Sequence, residues 1–368
     1  MISAIVIITT GIFIATACAL LGTFLVLRKM AMMSDAISHA ILPGLVLGYF
    51  LAQGPNLLAG FAGAALAAVI TVAVVEALQN TRKVGGESAI GIVFPAMFAL
   101  GTFIVSKYFA NVHIDTDAVL FGNIEFASLD LLEIGGRSVG PQALWLGGLL
   151  VILNLGFVGL LFKELKLATF DPGLATALGF SPVFIHYALM TIVSVTTVGA
   201  FTAVGSVLVV ALMIVPAAAA YLLTDDLKRM IIYAVLIGAL SAVVGFFVAL
   251  ALDASVAGSM AMMTGVCFLL ALLFSPAHGL VAKARRLERQ RFKVAMDNLL
   301  VHLFNHTQQR GEEHEAEVAH LSTELRWKPE FAQAIIRQGT SNGLVQRING
   351  HLALTEQGQR QAQVLEQG

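Results

Sequence analysis

The sequence predicts an all-α polytopic membrane protein with about eight or nine transmembrane helices, followed by a small α+β domain at the C-terminus. Three observations carry this expectation. Of the 368 residues, 58% are hydrophobic and only 12% are charged, a balance outside the range of ordinary soluble domains. The apolar residues gather in runs long enough to cross the ~30 Å hydrocarbon core of a bilayer. Charge collects at one end: residues 283–368 hold 12 of the 22 Lys+Arg and 10 of the 23 Asp+Glu.

Nine apolar runs are candidate spans, near residues 4–27, 37–53, 57–78, 89–106, 142–162, 184–203, 205–223, 231–251 and 256–274. The first has no basic segment ahead of it and stays apolar to Leu27, so it reads as a span rather than a cleaved signal. The second is short. The third opens on Ala59-Gly60-Phe61-Ala62-Gly63-Ala64-Ala65, a small-residue face of the kind that lets helices approach closely in lipid. The sixth and seventh are parted only around Gly199–Gly205, which makes a count of eight nearly as good as nine. Cys18 and Cys267 both lie inside apolar runs, so no disulfide framework or Cys-based zinc site is available.

Arg28 and Lys29, Arg82 and Lys83, Lys163 and Lys166, and Lys228 and Arg229 fall on alternate loops. The excess of Lys and Arg on cytoplasmic loops assigns all four to the cytoplasmic side. With nine spans the N-terminus lies outside and the C-terminal tail inside.

The most informative segment is Ser34-Asp35-Ala36-Ile37-Ser38-His39-Ala40-Ile41-Leu42-Pro43-Gly44. Residues i and i+4 share a helix face, so Asp35 and His39 can reach one ligand. Ionisable groups within a membrane segment are costly and mark ion or substrate paths, and a carboxylate with an imidazole suits a transition-metal cation. A plain reading stays open beside this one: Asp35 caps its helix and His39 is a core histidine. Two side chains do not complete a metal shell, so another helix, a second subunit or water must add the rest.

A second segment runs from Glu164 to Phe180. Asp171-Pro172 reads as a capped helix start and Gly179 as its stop. Phe170, Leu174 and Leu178 form an apolar knob on this short helix, either a connector or a piece that docks in a partner's groove.

These segments, with Leu27-Arg28-Lys29-Met30, Gly91-Ile92-Val93-Phe94, Gly101, Leu120-Phe121-Gly122 and residues 198–229, resemble the metal-ion branch of ABC-importer permeases over residues 5–275. That resemblance implies import of zinc, manganese or iron, with Asp35 and His39 lining the metal pathway. It implies that residues 164–179 are the coupling segment, through Glu164, Phe170, Asp171, Leu174, Ala175, Leu178 and Gly179. The implied partners are a cytoplasmic ABC ATPase dimer, an extracytoplasmic metal-binding protein and a second permease copy or sister permease. The implied location is a bacterial inner membrane. No permanent cofactor is expected, and ATP belongs to the partner: the chain has no Gly-Lys dipeptide and hence no GxxxxGK[ST] phosphate loop.

Other polar residues carry less. His113, Asp115 and Asp117 sit in a segment assigned to the outside and are candidates for metal entry, although a solvated acidic loop is the plainer reading. Met260, Met262 and Met263 suggest a soft-metal path, yet Met is also a common packing residue. Glu76 is expected to snorkel or to pair with Arg82 or Lys83, and His186 and His278 are expected near interfaces without a ligand role.

The expected domains are a permease domain at 1–276, a basic juxtamembrane linker at 277–293 and a small domain at 294–368. The linker's Lys and Arg suit anionic membrane lipid. Helices at Asp297–Asn305, Glu315–Leu325 and Pro329–Gln338, a hairpin turning at Asn349-Gly350 and a last helix from Thr355 resemble a winged helix. The second helix of its helix-turn-helix, at Pro329–Gln338, carries only Arg337 as a basic residue, short of the basic footprint of a DNA reader, so a regulatory or dimerisation role is expected over nucleic acid. This extension departs from the family pattern, in which most members end near the last span. Two competing readings are a membrane-tethered metal-responsive regulator and an ATP-independent metal carrier.

Overall fold

The computed structural model describes residues 2–52, 57–81, 83–108, 122, 124–134, 137–308, 325–348 and 351–367. They fall into two compact units, Met1–Gly279 and Leu280–Gly368.

The first unit is built of helices α1 (Ile2–Leu27), α2 (Met32–Ala52), α3 (Leu57–Asn80), α4 (Gly86–Tyr108), α5 (Gln142–Leu160), α6 (Phe162–Phe170), α7 (Pro172–Ala177), α8 (Pro182–Leu223), α9 (Leu227–Leu252) and α10 (Val256–Phe274). Among the described residues, eight helices are long and apolar enough to cross a membrane: α1–α5 and α8–α10. The nine apolar runs become eight helices because the sixth and seventh join. The 42 residues of α8 are two helical stretches that meet at a kink, each near the length that crosses a bilayer. The helix breaks at Gly205, whose φ of 78° and ψ of 169° are open to a residue without Cβ. Gly122 packs against this break: a Cβ there would lie 2.2 Å from the Val204 carbonyl carbon.

Helix α1 is central and packs on α5, α8 and α9, while α2 packs on α3, α4 and α8. Ile14, Leu21, Phe24, Leu25, Ile37 and Ile41 are buried where these helices meet. In lipid, close approach and interhelical hydrogen bonds hold helices together, and both occur. A Cβ on Gly44 would meet the Gly63 carbonyl oxygen at 2.3 Å, and one on Gly48 would meet that of Ala59 at 2.2 Å, so α2 and α3 touch backbone to backbone. Buried Asn154 on α5 donates to the Ala17 carbonyl at 2.9 Å and accepts from the Thr196 hydroxyl at 3.1 Å, joining α5 to α1 and α8.

Strands β1 (Leu131–Ile134) and β2 (Arg137–Pro141) form an antiparallel pair before α5. Just upstream, the Glu125 carboxylate accepts the Val256 amide at 2.9 Å and so helps satisfy the free N-terminus of α10. Met260 is buried beside Gly11 and Gly245, which makes it a packing residue.

The second unit contains α11 (Leu280–Gln308), α12 (Pro329–Ser341), the antiparallel strands β3 (Val345–Ile348) and β4 (His351–Leu354), and α13 (Glu356–Gln367). The basic stretch that opens it is the first part of the 29-residue α11, continuous with the segment expected at Asp297–Asn305. Met296, Leu299, Leu300 and Leu303 of α11 pack with Ile335, Ile336, Val345, Leu352, Leu354 and Ala362 in a core of their own. The Arg291 guanidinium lies over the Phe331 ring, 4.5 Å from its centroid. The helix expected at Glu315–Leu325 and the turn at Asn349-Gly350 fall outside the described residues, apart from Leu325.

Replacing Gly44 by Leu should force α2 off α3 at an overpacking cost of about 1–3 kcal/mol. Thermal unfolding of the detergent-solubilised protein should shift down by several degrees, and an unchanged midpoint would refute the backbone contact.

Candidate functional site

Asp35 is the fourth residue of α2 rather than its cap, so the capping explanation does not fit its position. One turn on, His39 Nε2 stands 3.5 Å from Asp35 Oδ1. Two donors each about 2.1 Å from a shared zinc-sized ion lie about 3.4 Å apart at a tetrahedral angle. The pair thus stands at the separation that one bound cation requires. The side chains are 34% and 29% exposed in the isolated chain, reachable rather than sealed in the core.

Two further features complete this part of the site. Phe94 and Phe98 of α4 meet the His39 ring edge-on, with centroids 4.7 and 5.6 Å away, and so limit its rotation. Pro43 lies inside α2, four residues after His39. A proline has no N–H to return to the carbonyl of residue i−4, so the helical bond to the His39 carbonyl is missing at this point of α2. The phenylalanines were not legible as site residues, although Phe94 belongs to the Gly91–Phe94 motif and Phe98 lies one turn beyond it.

Among the described residues no group of three or more His, Cys, Asp and Glu side chains could hold an ion. His113, Asp115 and Asp117 lie outside the described residues.

The second site is α6–α7. Asp171 Oδ1 accepts the Leu174 amide at 2.9 Å, with Pro172 at the first position of α7. At the other end Gly179 has a φ of +87°, its N–H bonds the Thr176 carbonyl at 3.0 Å and that of Phe180 bonds the Ala175 carbonyl at 3.0 Å. This paired arrangement is the Schellman stop. Phe170 just before the first end, and Leu174 and Leu178 between the two, are 58%, 46% and 58% exposed. Ala175 is fully buried and faces the body of the protein, so it supports the knob rather than forming it. Glu164 also turns inward, with Oε2 buried and unpartnered.

A polar network at the same end of the bundle was not legible in the sequence. Arg28 Nε donates to the Thr169 hydroxyl at 3.0 Å, and Nη1 lies 3.4 Å from His186 Nδ1. His186 Nε2 in turn contacts Glu76 Oε1. Glu76 therefore pairs with His186 rather than with Lys83, and His186 takes part in the packing of α3 against α8. Burial pulls the Arg28 guanidinium below its ordinary pKa. His278 meets Asp225 at 3.1 Å on the surface.

Eight apolar helices around a carboxylate–imidazole pair, with an exposed apolar helix at one end, define a polytopic membrane transport protein. Residues 1–275 match the model of the ABC 3 transport family. The zinc transport system membrane protein TroD of Treponema pallidum is 44% identical over 357 residues, 97% of each chain. The manganese transport system membrane protein MntD of Bacillus subtilis is 47% identical over 281 residues, 76% of this chain and 95% of that one. The solved structure of PsaBC from Streptococcus pneumoniae in complex with Fab aligns with a TM-score of 0.60 at 28% identity, covering 77% of this chain and 94% of that one. The chain belongs to the ABC 3 transport family and is a multi-pass membrane permease subunit of an ABC transporter. The TroD match reaches well into the C-terminal unit, whereas the MntD match has the length of the permease region alone.

Two substitutions test the helix stops of α7. Asp171→Ala should remove about 1 kcal/mol of capping, and Gly179→Ala should cost about 1–2 kcal/mol at its left-handed backbone. Hydrogen exchange at the Leu174–Leu178 amides should quicken in both, and unchanged protection would refute this account of α7.

Proposed function

We propose that this permease imports a divalent transition metal, of the class zinc, manganese or iron, across a bacterial inner membrane. Asp35 and His39 supply its side-chain ligands on the way through. The single observation that carries this reading is the 3.5 Å approach of His39 Nε2 to Asp35 Oδ1 on a membrane helix, which matches donors sharing one ion. The family membership of residues 1–275 supports the same reading. ATP hydrolysis is the work of a separate ABC subunit.

The exposed Phe170, Leu174 and Leu178 are the docking knob for that ATPase. Buried Ala175, the Asp171 cap and the Gly179 stop keep the knob rigid. Glu164 lies on α6 next to the knob. A second permease copy or a sister permease completes the passage, and an extracytoplasmic metal-binding protein delivers the ion. His113, Asp115 and Asp117 are the candidates for receiving it.

The C-terminal unit combines a long helix, a second helix, a β-hairpin and a closing helix around one core. That order suits a winged-helix-like cytoplasmic domain. Lys283, Arg285, Arg286 and Arg289 on the first turns of α11 suit anionic lipid headgroups, each worth ~1 kcal/mol near such a surface. Helix α12 has Arg337 as its only Arg or Lys, which favours regulation or dimerisation over DNA reading.

Metal uptake should fall roughly ten-fold or more in Asp35→Ala and in His39→Ala at unchanged membrane levels, since each removes one donor from a small ligand set. Normal uptake of manganese and zinc in both variants would sink the ligand assignment. Leu174→Asp should abolish copurification of the ATPase, and retained assembly would remove the docking role from α7.

A further inference from the structure

We infer that Arg28 is a positioning residue that ties the ATPase-facing segment α6–α7 to the head of the metal-bearing helix α2. The inference rests on the docking role proposed for α6–α7 and goes beyond it by naming the link.

Arg28 occupies the junction between α1 and α2. It donates to Thr169 at the end of α6 and reaches His186 Nδ1 on α8, which contacts Glu76 on α3 through Nε2. Arg28 thus joins the α1–α2 junction to α6 and α8 directly, and to α3 through His186. A guanidinium cannot accept a hydrogen bond, so His186 Nδ1 must be the acceptor. Nε2 then carries the hydrogen and faces the Glu76 carboxylate in close contact. The chain of donors runs in one direction, from Arg28 through a neutral imidazole to Glu76.

The junction itself is stiff. The Met30 amide bonds the Leu25 carbonyl at 2.9 Å and the Lys29 amide bonds that of Val26 at 3.0 Å, a Schellman arrangement. Lys29 takes the left-handed position with a φ of 58°. Residues held in such regions without being glycine persist where their surroundings demand it, and they cluster at switch regions. Helix α2 starts only three residues later, with Asp35 in its first turn. A displacement of α6 that carries Arg28 with it is thus delivered to Asp35 and His39 through a short, hydrogen-bonded turn.

A second metal station at Glu76 and His186 is the competing reading, because that pair repeats the carboxylate–imidazole chemistry. The adjacent guanidinium decides against it: a cation would have to settle beside a fixed positive charge, and His186 Nδ1 is already taken by Arg28. The network also has spare capacity. Arg28 Nη2 and the Glu164 carboxylate Oε2, on the same α6 as Thr169, are both buried without a partner. A linkage with an unused donor and an unused acceptor can exchange bonds during a transport cycle, which a saturated one cannot do.

The test uses the whole transporter in proteoliposomes, with manganese(II) and zinc(II) each supplied as the probe, and reads metal moved per ATP hydrolysed. Thr169→Val is nearly isosteric and removes only the hydroxyl, Thr169→Ser restores it, and Arg28→Ala removes the hub. Metal moved per ATP should fall roughly five-fold in Thr169→Val, at least as far in Arg28→Ala, and stay near wild type in Thr169→Ser. An unchanged ratio in Thr169→Val overturns the proposal, as does an equal fall in Thr169→Ser. Failure of the docking role itself would appear separately, as ATPase retained on Leu174→Asp.

Discussion

A carboxylate and an imidazole held within contact distance at the head of a membrane helix form the constraint on which the rest of this fold depends. Lipid supplies neither hydrogen bonds nor counter-charges, so each polar group must find a partner in the protein or in its cargo. Asp35 and His39 find each other at 3.5 Å. Everything around them fixes the backbone that carries them: Gly44 and Gly48 seat α2 on α3, Phe94 and Phe98 brace the His39 ring from α4, and Pro43 leaves the His39 carbonyl unclaimed by the helix.

The same rule explains the opposite treatment of the other polar groups. Asn154 satisfies both its amide ends internally, against Ala17 and Thr196. Arg28 bonds Thr169 and reaches His186, and His186 meets Glu76. These groups spend their hydrogen-bonding capacity on joining helices, whereas Asp35 and His39 pair along one helix and stay about one-third exposed. An apolar surface obeys a parallel logic in α6–α7, where Phe170, Leu174 and Leu178 stay uncovered while Ala175 anchors the segment from behind. An ABC permease must lend a surface to its ATPase, and this short capped helix is the exposed apolar element at the end of the bundle that holds the Arg28 network.

Much of this was legible in the sequence because the signals are local. Hydrophobic runs mark the spans, Asp35 and His39 announce themselves by i, i+4 spacing, and Asp171-Pro172 and Gly179 bracket α7 by cap chemistry. What was not legible depends on which helices become neighbours. Phe98 lies 59 positions after His39 and His186 lies 110 after Glu76, and no periodicity reports such contacts. The union of the sixth and seventh runs was half legible, because only residues 199–205 part them. Residues 199–204 contain neither charge nor proline, so the helix runs on until Gly205 permits a break. The apolar run of the second span begins only at Ile37, whereas the helix that carries it already begins at Met32.

The most direct test of the central claim is X-ray absorption at the metal edge of the purified transporter loaded with manganese(II) or zinc(II), for the native chain and for His39→Ala. A shell containing one imidazole nitrogen with oxygen neighbours, from which that nitrogen is lost in His39→Ala, is the predicted result. A shell identical in the two proteins would contradict the placement of the metal path at Asp35 and His39.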